Sequence, residues 1–114
     1  MTKNAVDWAS RLPATAPLSR KPVGIIGASP GLVGTARGQS QLRQAFEFTN
    51  SYCMPQPEVL VSRAGDKFDA EGKLTDKGTA DFLHKYLIAL RDWISAFQKC
   101  LTFCSVQARW QPAR

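Results

Sequence analysis

The chain has 114 residues, 44% of them hydrophobic and 21% charged, with a formal net charge of +6. That length allows one domain, and that balance is typical of a globular chain rather than a disordered one. No run of about 18 apolar residues occurs and MTKNAVDWAS carries no apolar secretory stretch, so neither a transmembrane helix nor export is expected, and a cytoplasmic location follows.

Residues 2–11 read as a helix. Thr2 is the candidate cap, Ala5, Val6, Trp8 and Ala9 make a broad apolar face, and Pro13 ends it. A proline-containing loop follows over residues 12–20. Residues 22–28 then read as one buried strand, with Val23, Ile25 and Ile26 as its apolar content. The turn Ser29-Pro30-Gly31 leads to a helix from Thr35, its candidate cap, to about Asn50. Leu42, Ala45, Phe46 and Thr49 fall at helical spacing along it.

Residues 57–62, PEVLVS, make the second strand. Strand, helix and strand together form one βαβ unit with a parallel pair. A polar loop covers residues 64–76, and its acidic residues miss the calcium-loop spacing. The longest helix starts at Lys77, capped by Thr75 or Asp76, and runs to about Lys99. Phe82, Tyr86, Leu87, Leu90, Ile94 and Phe97 keep helical spacing and read as core packing, with Trp93 beside them.

Charge and thiols exclude several functions. Lys99, Arg109 and Arg114 lie in a C-terminal tail without acidic residues, and the remaining cations are scattered. No basic stretch interleaved with aromatics is present, which argues against nucleic acid. Cys53, Cys100 and Cys104 form no C-x-x-C, and His84 is the only histidine, so a zinc site lacks ligands. Three reduced thiols suit a reducing compartment.

The stretch KPVGIIGASPGLVGTARG reads as a strand, a glycine-rich turn and a helix start, which by spacing alone is either an ordinary tight turn or a ligand-binding one. In open α/β sheets, ligands bind beyond the carboxyl ends of the strands, and this turn sits at such an end. Gly27, Gly31 and Gly34 run G-x-x-x-G-x-x-G, which matches neither dinucleotide nor P-loop spacing. A helix start of this kind favours an anion or polar ring edge as guest.

Four blocks, KNAVDWASR, KPVGIIGASPGLVGTARGQSQLRQ, MPQPEVLVS and KFDAEGKLTD, occur in the order and spacing of one family. The chain resembles the C-terminal half of an NADPH-dependent FMN reductase, the flavodoxin-like group that includes quinone and chromate reductases. The resemblance covers about residues 2–94. It implies an α/β fold, a three-layer parallel sheet of which strands four and five and their flanking helices are present and strands one to three are absent. It divides the chain into residues 1–97, the C-terminal part of the reductase-like domain, and residues 98–114, a basic tail without family match. It implies FMN as cofactor and NAD(P)H as hydride donor, with electrons passed on to a quinone or another small-molecule acceptor.

Of the family's three flavin loops, only the one after strand four is present. By resemblance Ser29 is the candidate FMN contact, through its hydroxyl or backbone, and Gly27, Pro30 and Gly31 shape it. No residue is assigned to catalysis and none to a metal. Without the phosphate loop, FMN affinity and activity of the isolated chain are expected to be weak or lost. The open sheet edge is expected to pair with another copy, giving a homo-oligomer. The competing expectation is a non-catalytic fragment or interaction module without flavin.

Overall fold

The computed structural model describes residues 2–11 and 16–108. Helix α1 is Thr2–Ala9, shorter than the expected 2–11, with Val6 as its buried residue. The expected stop, Pro13, lies outside the described residues. Strands β1 (Pro22–Val23) and β2 (Ile26–Ala28) follow, then helix α2 (Ala36–Phe48). Strands β3 (Tyr52–Cys53) and β4 (Val59–Val61) lead to a 3-10 turn at Ala64–Asp66 and to helix α3 (Lys77–Ala108).

The single strand expected over residues 22–28 is broken in two. β1 pairs in parallel with β3, and β2 pairs in parallel with β4. Val23 stands opposite Cys53 and Ile26 opposite Val59, so residues 24 and 25 face the longer stretch 54–58. That stretch holds Pro55 and Pro57, with a cis Gln56–Pro57 bond. Proline has no N–H to give a ladder, so the pairing is interrupted there.

Side chains occupy the break. The Tyr86 hydroxyl donates to the Ile25 carbonyl (3.1 Å). Arg43 of α2 donates to the Met54 carbonyl (2.8 Å) and pairs with Glu58 (3.4 Å). Gly24 lies directly beneath the Tyr86 hydroxyl and Leu90, where a Cβ would collide.

Alternate residues point to opposite faces of a strand, and the core divides accordingly. Ile25 packs with Val6 and Phe46, with Leu18, Leu42 and Cys53 around them, so α1 and α2 cover one face. Met54, Val59 and Tyr86 pack with Leu83, Leu90 and Trp93, so α3 covers the other. Helices on both faces of parallel strands make three layers, the α/β arrangement the resemblance implies. Burial holds the Cys53 thiol above its ordinary pKa, with Arg43 opposing the shift.

Thr35 stands at the start of α2 but makes no side-chain cap. Its hydroxyl instead accepts from the Gln39 amide (2.9 Å). Of the two expected caps, Thr75 and Asp76, it is Asp76 that caps α3. Its carboxylate accepts from the Thr79 hydroxyl (2.5 Å) and backbone N–H (2.8 Å), and these bonds lower its pKa.

The buried face of α3 differs from the expected stripe. Phe82 and Leu87 are 43% and 52% exposed, while Leu83 and Ala89 pack against the core. Trp93 donates from its indole to the Tyr52 carbonyl (3.0 Å), and Phe97 stacks on Tyr52 at 4.4 Å. Both contacts anchor α3 to β3, a strand not expected from the sequence. α3 continues unbroken past residue 98 to Ala108; Arg109 and Arg114 of the basic tail lie outside the described residues. Among the described residues, no helix is long and apolar enough to cross a membrane.

Candidate functional site

Parallel pairing of β2 with β4 sets their carboxyl ends side by side, at Ala28 and Val61. The two loops that leave these ends are tied together by backbone bonds. Ser29 N–H donates to the Val61 carbonyl (2.9 Å), Ala64 N–H to the Ser29 carbonyl (3.0 Å), and Arg63 N–H to the Gly31 carbonyl (3.2 Å). The Ser29–Gly31 turn is therefore clamped from the β4 side and has little freedom to move with a guest.

Within the turn, Ser29 Oγ accepts from Gly31 N–H (3.2 Å). A hydroxyl has one proton and two lone pairs, so this bond leaves the Ser29 proton free to donate outward. Ser29 is half-buried, and Pro30 and Gly31 are exposed. A Cβ at Gly31 would meet only Ser29 Oγ, at 3.6 Å, so that side of the turn is open.

The structure thus brings Ser29, Pro30 and Gly31 into one loop. Gly27 lies earlier on β2 and has another task. A Cβ there would meet the Thr35 hydroxyl at 2.5 Å, so its bare face makes room for the start of α2. Gly34 closes the turn with φ 61°, a left-handed conformation, and a Cβ there would stand 3.2 Å from the Leu60 carbonyl.

One residue at this site escaped the sequence reading. Arg63 sits immediately after β4 in a left-handed conformation, φ 48°, with an exposed side chain. Its place beside Gly31 depends on the β2–β4 register, and its only sequence signal is its position just past an apolar run. Arg37 at the mouth of α2 and Asn4 on α1 are also exposed. No carboxylate stands in the Ser29–Gly31 turn, so the polar groups it presents are a hydroxyl and backbone amides and carbonyls. Among the described residues, no cluster of metal-ligating side chains occurs.

A cavity of about 410 Å³ opens along β2, between the starts of α1 and α2. Thr2, Ile26, Ala28, Gln39 and Leu42 are among its walls.

Comparison with known proteins agrees with this architecture. Residues 1–66 match the family described as NADPH-dependent FMN reductase. An NAD(P)H-dependent FMN reductase of Pseudomonas aeruginosa is 46% identical over 92 residues, 81% of this chain and 49% of that protein. A quinone reductase of Escherichia coli is 42% identical over 93 residues, again 81% of this chain and 49% of the relative. Among solved structures, FerB, a flavoenzyme NAD(P)H:(acceptor) oxidoreductase from Paracoccus denitrificans, superposes with a TM-score of 0.73 at 34% identity. That match covers 84% of this chain and 53% of FerB. The chain spans about half the length of these relatives. With a family match over residues 1–66 and these identities, the chain belongs to the NADPH-dependent FMN reductase family.

Proposed function

We propose that the Ser29–Gly31 turn forms one edge of an FMN site, in an oxidoreductase that takes hydride from NAD(P)H and passes electrons to a small-molecule acceptor of the quinone class. The observation that carries this reading is the clamped turn at the paired carboxyl ends of β2 and β4, with a Ser29 hydroxyl whose oxygen accepts within the turn and whose proton is left over for a guest. These features fit the polar edge of a planar ring.

When bound, FMN supplies the redox chemistry, and the protein supplies position and electrostatics. Ser29 donates one hydrogen bond to the ring edge. Pro30 and Gly31 set the shape of the wall, and Gly27 lets α2 approach closely enough to support it. Arg63 places a positive charge beside the turn, which favours an anionic donor or acceptor near the flavin.

On this reading β1–β2 and β3–β4 are strands four and five of the flavodoxin-like sheet, with strands one to three outside the chain. Residues 1–97 are the C-terminal part of the reductase-like domain, and residues 98–114 are an appended tail. The chain works in the cytoplasm, where its thiols stay reduced. Alone it is inactive as a reductase, and it self-associates through the free edge of β2. Sedimentation equilibrium reads that last point, and a strictly monomeric chain would refute it.

Titration of FMN fluorescence tests the cofactor assignment. Weak but saturable quenching is expected, and Ser29→Ala should weaken it by roughly three- to tenfold, the loss of one hydrogen bond. Quenching indifferent to Ser29→Ala removes that residue from the site. No quenching by folded protein favours the second reading, a non-catalytic fragment.

A further inference from the structure

We propose, resting on the flavin reading of the Ser29–Gly31 turn, that Leu32, Val33 and Arg63 select the electron acceptor by its charge, and that the class selected is an aromatic ring bearing an acidic group. Gly34 N–H donates to the Gly31 carbonyl (3.3 Å), closing a turn with Leu32 and Val33 at its tip. Both side chains are apolar, and they are 73% and 59% exposed. Arg63 N–H donates to the same Gly31 carbonyl (3.2 Å), so one atom anchors the tip and the arginine together.

The backbone of Arg63 is a second, independent observation. It holds φ 48° and ψ 48°, the left-handed region, where glycine sits without steric cost and any larger side chain is strained. Strain of this kind gathers at ligand sites, where the side chain is kept in spite of it. Arg20 and Asn50 also have positive φ, but they lie ahead of β1 and β3, at the amino ends of the strands, where Arg20 N–H donates to the Asn50 carbonyl (2.8 Å). Arg63 alone of the three borders the Ser29–Gly31 turn. Its side chain is exposed, and among the described residues it makes no ion pair, not even with Asp66 of the adjoining 3-10 turn.

The chemistry of the patch names its guest. A guanidinium pairs with an oxyanion and also lies flat on an aromatic face. Two aliphatic side chains beside a single cation match a flat ring with one negative substituent, such as a sulfonated or carboxylated quinone. A dinucleotide spreads its charge over sugar phosphates and offers less apolar surface, which suits this patch poorly. The three residues govern binding of the acceptor and leave the redox step to the flavin.

The test is titration of the nitrogen-15-labelled full chain with anthraquinone-2-sulfonate, a permanent anion, without FMN, beside a parallel titration with FMN. Saturable shifts of the Leu32, Val33 and Arg63 amides are expected, with affinity that falls as salt is added. Arg63→Gly should weaken binding by roughly two- to fivefold, the size of one exposed ion pair. The same variant should raise Tm by about 4 °C, because it relieves the left-handed strain. Arg63→Lys keeps the charge and should retain most of the affinity, while Leu32→Asn should lower affinity without changing its salt dependence. Arg63→Gly binding the sulfonate as tightly as the parent would overturn the proposal, whatever FMN does. The flavin reading falls separately, when FMN leaves the Ser29–Gly31 turn unmoved. NADP+ that displaces the sulfonate and shifts the same amides at lower concentration would also overturn it, giving Arg63 to the hydride donor.

Discussion

Gly34→Val is expected to destabilise the chain by about 3 kcal/mol, or roughly 15 °C in Tm. Two costs combine. The backbone at Gly34 has φ 61°, which a β-branched residue adopts only under strain. A Cβ there would also stand 3.2 Å from the Leu60 carbonyl carbon and oxygen. Leu60 is held between its neighbours in β4, so the obstacle is main chain and cannot swing aside. Gly38 provides the control. It lies inside α2, where an added Cβ would meet nothing within 4 Å, so Gly38→Ala should stabilise by about 0.5–1 kcal/mol through helix propensity. Thermal unfolding followed by circular dichroism compares the two. Equal, small effects would mean that the turn behind Ser29 is not held against β4.

Tyr86→Ala is expected to cost about 4 kcal/mol and Tyr86→Phe about 1.5 kcal/mol. Tyr86 is 2% exposed, the centre of the cluster with Met54 and Val59, and its ring holds α3 against the broken strands. Alanine leaves a cavity there. Phenylalanine keeps the ring and removes only the hydroxyl, which leaves the Ile25 carbonyl without its donor at the break between β1 and β2. Urea unfolding with an unchanged m-value separates the two contributions. A neutral Tyr86→Phe would show that the Ile25 carbonyl finds another partner, and that α3 does not bridge the break.

These two sites mark the boundary of what the sequence revealed. The apolar runs around Ile25 and Val59–Val61 announced parallel strands, and Asp76 ahead of a helical pattern announced the cap of α3. The break at residues 24 and 25 was hidden because its cause lies across the sheet, in the proline-containing stretch 54–58. β3 has only two residues and no alternation to read, and it is recognised by what it pairs with. On α3, helical periodicity allowed more than one register. Only packing against Met54 and Val59 selects Leu83 and Trp93 over Phe82 and Leu87.

The candidate site divides in the same way. Ser29, Pro30 and Gly31 were legible because glycine, serine and proline after an apolar strand punctuate the chain whatever its partner. Gly27 was read as shaping the flavin contact, and its close approach to Thr35 emerged only in three dimensions. Arg63 stands more than thirty positions from Ser29 and meets the turn through backbone bonds that follow from strand register. Gln39 reads as an ordinary polar helical residue, and its buried, unpaired oxygen becomes visible only once α2 lies on the sheet.

Amide shift mapping of the nitrogen-15-labelled chain, as FMN is added, tests the flavin assignment at the level of single residues. Ser29, Gly31, Arg63 and Ala64 are expected to move together and saturate together, because one clamped turn meets the ring. The α3 amides beyond Trp93 should stay still. Shifts confined to α3, or scattered without saturation while the Ser29–Gly31 turn is unmoved, would contradict that assignment and remove the flavin from the carboxyl ends of β2 and β4.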